Sequence, residues 1–181
     1  MAGKTPSEAV ENFLTPLRQA LACVTNEILL VRGGYYPSET PHAVTLSHNP
    51  AVLGRDRQLA LTLIQWYRVI EDDVPRGPWK VRTVAYYYTV EEAKGSGHEI
   101  FAYHWHPHER TAIHFPHFHL YHGAGSIHDA VRKAHFPTGR IAIEEVLRLL
   151  ITQWGVRPLH DDWEAILDRT SAAFQDWRAW S

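Results

Sequence analysis

Apolar positions along this chain change period twice, from helical to alternating and back again. Val10, Phe13, Leu14, Leu17 and Leu21 recur at helical spacing behind Thr5-Pro6-Ser7-Glu8, a capping box with proline at the first helical position. The spacing predicts a helix from about Pro6 to Ala22. The pattern then shortens. Glu27 to Arg32 is a short apolar run ended by Gly33-Gly34, and His42 to Ser47 is a weaker strand candidate closed by Asn49-Pro50. From Gln58 to Glu71, Leu59, Leu61 and Leu63 alternate with Ala60, Thr62 and Ile64, and Trp66, Tyr67 and Val69 suit a sheet. Pro75-Arg76-Gly77-Pro78 turns the chain into a second long strand, Trp79 to Val90. Lys94-Gly95-Ser96-Gly97 turns it again, and Ile100 to His106 and Ile113 to Tyr121 complete the run.

After Gly123-Ala124-Gly125 the helical period returns. Ser126 to Ala134 reads as a short helix capped by Ser126, and Ile143 to Trp154 as an amphipathic one stopped by Gly155. Asp161 or Asp162 caps a last helix through Trp163, Ile166, Leu167, Phe174 and Trp177. Short spacings between successive strands favour antiparallel pairing over βαβ crossovers. The expectation is one α+β domain spanning 1–181, with an antiparallel meander over about 58–122, an N-terminal helix and a helical part over 126–181.

Composition adds limits. A chain of 181 residues, 45% hydrophobic, is long enough for its own core. The formal net charge of −2 gives no bulk attraction to nucleic acid, although residues 50–140 carry 11 basic and 9 acidic groups. Cys23 stands alone, so no intrachain disulfide or cysteine-rich zinc site forms, which fits a reducing cytoplasm. The polar start and the lack of any long apolar run give no expectation of a membrane partner. Trp154, Trp163, Trp177 and Trp180 read mostly as core, and an exposed Trp180 would serve a homo-oligomer or partner interface.

The chemistry concentrates in one stretch. Seven of the thirteen histidines lie between His104 and His122. Histidine titrates at roughly 6.5, so it exchanges protons near neutral pH and binds metals when neutral. By strand parity Phe101, Tyr103 and Trp105 share one face, while His98, Ile100, Ala102, His104 and His106 share the other. Beyond Pro116, which interrupts the next strand, Phe118 and Leu120 oppose His117, His119 and Tyr121. If the two strands pair, His104, His106, His117 and His119 converge, with His108 at the loop mouth beside Glu109 and Arg110. A lone histidine on a sheet is ordinarily just solvated, and His114, His122 and His128 fit that description.

Three chemistries use such a face. Two histidines act as general base and acid in metal-free cleavage of RNA, with a cation steadying the phosphate. Alternatively, neutral histidines bind zinc or another divalent metal at about 2.0–2.1 Å. In the third, a histidine attacks a nucleotide phosphate. The histidine-triad hydrolases that do this would need a histidine where Tyr121 stands. A cupin-type metal site is also poorly matched, because Glu109 follows His106 by only three residues.

The segment Trp66 to Leu120 resembles the toxin component of TumE-type toxin–antitoxin systems. The shared features are the aromatic strand Tyr86-Tyr87-Tyr88, the strand entering Phe101-Ala102-Tyr103, the step Pro107-His108 and the element Phe115-Pro116-His117. The chain departs from the family at His104-Trp105, where an Asp-Asn pair is common, and at Glu109, where a second histidine follows Pro-His. The resemblance implies a small prokaryotic cytoplasmic protein that acts on RNA and is restrained by a protein antitoxin. The leading expectation is therefore a toxin-like ribonuclease needing no cofactor. His108, His117 and His119 would react, His104 and His106 would support them, and Arg110, Tyr121 and Tyr103 would contact phosphate or base, with Tyr103 equally suited to the core. The alternatives are a metal-dependent hydrolase on His104, His106, His117 and His119, taking zinc or manganese, and a non-catalytic metal- or partner-binding module.

Overall fold

Thr5 starts the first helix as its sequence requires. Its hydroxyl accepts the Glu8 backbone N–H at 3.1 Å, and the Glu8 carboxylate accepts the Lys4 N–H at 2.9 Å. In this computed structural model, which describes residues 2–74, 77–93, 98–107, 112–126 and 128–175, helix α1 runs Pro6–Ala22. It buries Val10, Phe13, Leu14, Leu17 and Leu21, the residues whose spacing announced it.

Nine strands form one sheet among the described residues, and every pairing is antiparallel. They are β1 (Ala2–Gly3), β2 (Leu29–Arg32), β3 (His42–Leu46), β4 (Ala51–Val52), β5 (Leu59–Val74), β6 (Gly77–Glu92), β7 (Glu99–Trp105), β8 (His117–Leu120) and β9 (Phe136–Pro137). The order across the sheet is β2-β3-β5-β6-β7-β8-β9, with β1 on β6 and β4 on β5. The protein is α+β, and the sheet extends beyond the meander expected over 58–122 to take in β2 and β3.

One sheet face carries the core. Leu61, Leu63 and Tyr67 of β5, Tyr86, Tyr88 and Val90 of β6 and Phe101 of β7 join the apolar side chains of α1. Ile143, Val146, Leu147 and Leu150 of helix α3 (Ile143–Thr152) and Leu167 of helix α4 (Trp163–Gln175) complete it. Inside this layer the Tyr88 hydroxyl donates to Gln65 Oε1 and the Gln65 amide donates to Thr83 Oγ1, both at 2.9 Å, so the buried Tyr88 and Gln65 side chains are paired. On the other face Ile64, Trp66 and Tyr87 are half-buried. No helix of the described residues is long and apolar enough to cross a membrane.

Local differences from the sequence reading have physical causes. β8 begins at His117 rather than Ile113, because Pro116 cannot donate to a ladder. The short helix α2 covers only Asp129–Arg132, and His128 caps it in place of Ser126: the Ala130 N–H donates to His128 Nδ1 at 3.1 Å. Trp163 packs against the core, but α3 stops at Thr152, two residues short of Trp154, which is exposed, and Trp177 and Trp180 lie outside the described residues.

Phe101 is fully buried, and its ring meets those of Tyr103, Phe118 and Trp154. Phe101→Ala is expected to cost about 3–5 kcal/mol, because it removes the transfer energy of the ring and leaves a cavity between sheet and helices. A urea titration with unchanged slope measures it; a loss below about 1 kcal/mol would mean that the sheet and helices do not pack as described.

Candidate metal centre

The histidines meet because of register. β7 and β8 pair with His104 opposite His117 and Ala102 opposite His119, and Tyr87 of β6 lies opposite His104. Since strand neighbours in register share a face, all four histidine rings rise from the side of the sheet away from the core. The His104 ring lies 5.8 Å from His117 and 5.3 Å from His119 between centroids, and His106 lies 5.3 Å from His117. Tyr87 floors the group, stacked at 3° and 5.3 Å on His106 and tilted at 4.6 Å on His104.

A fifth histidine joins them. His135, between α2 and β9, brings its ring 4.3 Å from His119 and 5.1 Å from His117. Sequence parity had no hold on it, because it belongs to no strand. Its only signal was its place just before Phe136-Pro137, which pair with Phe118 and His117 of β8.

Two overlapping triads result. His104, His106 and His117 hold three ring nitrogens within 4.8 Å of one another, and so do His117, His119 and His135. His117 belongs to both and is 1% exposed. Its Nδ1–H donates to the Phe115 carbonyl at 2.8 Å, which fixes the tautomer and leaves Nε2 as the free lone pair. A backbone carbonyl orienting a histidine in this way is the usual support for a metal ligand. His104 Nε2 is buried and has no hydrogen-bond partner among the described residues. A buried nitrogen left this way calls for an acceptor of its lone pair or of its proton.

Burial also sets the charge state. Desolvation, reinforced by the neighbouring imidazoles, pushes His104 down to about 3 and His119 down to about 4. Burial lowers His117 as well, against the opposing bond to Phe115. These three rings are neutral at neutral pH, the form in which imidazole ligates a metal. Both triads are all-nitrogen, a donor set that suits zinc, copper or nickel better than manganese.

The other sequence candidates divide. His108, Glu109 and Arg110 lie outside the described residues. Tyr121 stacks on His119 at 5.7 Å, at the margin of the cluster, with burial pushing its hydroxyl up to about 12. Tyr103 points into the core side, its ring 4.9 Å from Phe118, so of its two sequence roles the core one holds. His114 is exposed, bonded through Nδ1 to the Pro107 carbonyl at 3.1 Å, and belongs to neither triad, as is true of exposed His122 and of the helix cap His128.

No protein-family model, no curated protein and no solved structure matches this chain.

Proposed function

We propose that this protein is a metal-dependent hydrolase whose sheet face binds one divalent transition metal, zinc foremost, through His117 and its neighbours. The observation that carries the reading is the pair of histidine triads sharing His117, whose tautomer the Phe115 carbonyl has already set. Three histidines with a fourth position left to solvent suit a catalytic zinc, which lowers the pKa of a bound water to about 7 and makes hydroxide available. His117 offers one lone pair, so one ion per chain is expected rather than two. His135 of the second triad is exposed, so an ion held there would be open to solvent.

Histidine acid–base cleavage of RNA without metal keeps His117 and His119 as its pair. That chemistry needs one ring protonated near neutral pH, which their burial opposes. RNA remains the first substrate to try, in the cytoplasmic setting and with the antitoxin partner that the toxin-like resemblance implies.

The experiment uses untagged protein, stripped with EDTA and titrated with zinc, nickel and manganese by calorimetry. One equivalent of zinc binding far more tightly than manganese is expected, together with RNA hydrolysis that EDTA abolishes and zinc restores. Absence of stoichiometric uptake of any transition metal would overturn the reading. Cleavage that survives EDTA would transfer the reaction to the histidines alone.

A further inference from the structure

Beyond the aromatic floor of the histidine centre, the same sheet face turns basic. Trp66 makes an edge contact with Tyr87 at 5.4 Å, and a bulge follows between Trp66 and Tyr67. Past the bulge Arg68 of β5 stands directly opposite Arg82 of β6. Tyr67 and Val69 are buried in the core, so Arg68 between them faces the histidine side.

These two arginines share a cavity of about 520 Å³ with Arg140, Trp105 and Pro107. The cavity opens where β6 changes partners. β1 covers β6 at Trp79 and Lys80, and β7 begins to pair with it only at Tyr86. The Arg140 guanidinium sits 3.7 Å above the Trp105 ring, which holds it in place. Burial and the charge of Arg82 lower the pKa of Arg140, a sign of how closely the cations are gathered. No carboxylate lines the cavity among the described residues, and neither Arg68 nor Arg82 forms an ion pair with any of them.

Like charges directly opposite on paired strands are unfavourable. The guanidinium groups of Arg68 and Arg82, set opposite one another, repel until an anion enters, and their planar forks match phosphate oxygens in a two-point manner. Trp105 and Pro107 flank His106, so the cavity and the metal centre are adjacent along the chain.

We propose that the Arg68–Arg82–Arg140 cavity binds the phosphate of a phosphate ester and anchors the substrate of the histidine centre. The anchoring role rests on the hydrolase reading; the phosphate site does not. Ile64 lies opposite Tyr87, in the row of His104 and His117, and Arg68 is four residues further along β5, roughly 13 Å at strand rise. The anchored phosphate is therefore not the group being cleaved. The substrate class is an extended ester with several phosphates, such as a single-stranded oligonucleotide, rather than a small monoester.

The test measures binding of a fluorescein-labelled single-stranded hexanucleotide by anisotropy to the full chain, metal-free and zinc-loaded, with inorganic phosphate as competitor. R68Q/R82Q is expected to weaken binding at least tenfold and to flatten its salt dependence. R148Q, which removes an arginine paired with Asp168 on the helical side, is expected to leave binding unchanged. Arg68 and Arg82 are exposed, and an unfolding midpoint close to that of the parent shows that the double variant folds. The hexanucleotide is expected to bind at least tenfold more tightly than phosphate alone. Equal affinity of the two would overturn the anchoring role, and undiminished binding by R68Q/R82Q would overturn the site. If the histidines take up no metal but the metal-free chain still binds the hexanucleotide through the arginines, the hydrolase reading falls and the phosphate site stands.

Discussion

His117→Ala is expected to abolish metal binding by the whole cluster, lowering zinc affinity by roughly 10²-fold or more, since even loss of a ligand's supporting partner costs about 10–100-fold. The reason is its shared position. Each triad retains two histidines without it, and neither pair alone encloses an ion. The single variants His104→Ala and His119→Ala differ in kind, because each leaves the other triad whole. If the ion sits in His117, His119 and His135, then His119→Ala and His135→Ala weaken binding strongly and His104→Ala weakens it little. The reverse order places the ion over Tyr87. Calorimetric titration of the four variants separates these cases, and hydrolytic rate is expected to follow zinc occupancy. Equal, small losses in all four would mean that the ion is held elsewhere.

The part of the centre legible in the sequence was the part that lies in strands. Alternation assigned His104 and His106 to one face and Phe101, Tyr103 and Trp105 to the other, and the pairing of Phe101 with Leu120 and Tyr103 with Phe118 has the same sense. Period-2 patterning needs only local backbone geometry, so it reads directly from residue order. His135 was not legible, because it reaches the cluster through a loop and a two-residue strand too short to show a period. The arginine cavity was hidden for another reason. Arg68 and Arg82 come together through the register of a long hairpin that contains a bulge, and a shift of one residue would have turned them to opposite faces. Arg140 adds itself from a segment with no regular structure. The fold followed the same rule. α1 was predicted to its ends from a capping box, whereas β1, β4 and β9, two residues each, exist only because longer neighbours supply their partners.

The metal-free protein is expected to lose stability as pH falls below about 6.5, the ordinary histidine value in an unfolded chain. The sign follows from which state takes up protons. In the folded protein, burial among other imidazoles holds His104 down to about 3 and His119 down to about 4, and burial lowers His117. Between about 6.5 and those values the unfolded chain binds protons that the folded chain refuses, so acid favours unfolding throughout that window. Above it these histidines are neutral in both states and contribute no slope. Thermal unfolding of EDTA-treated protein from pH 8 to pH 4 measures the effect. His104→Phe retains a ring against Tyr87 but cannot titrate, so its midpoint is expected to fall less steeply with acid than that of the parent. An identical slope would show that His104 is protonated in the folded state and is not the buried neutral ring described above. Zinc adds a second term, whose pH dependence has the same sign. At pH 7.5 and about 100 times its dissociation constant it is expected to stabilise the fold by about 2.7 kcal/mol. That increment shrinks on acidification, because protons compete for the same nitrogens. The difference between zinc-loaded and metal-free midpoints across the pH range therefore reads the histidine centre through the stability of the sheet that holds it.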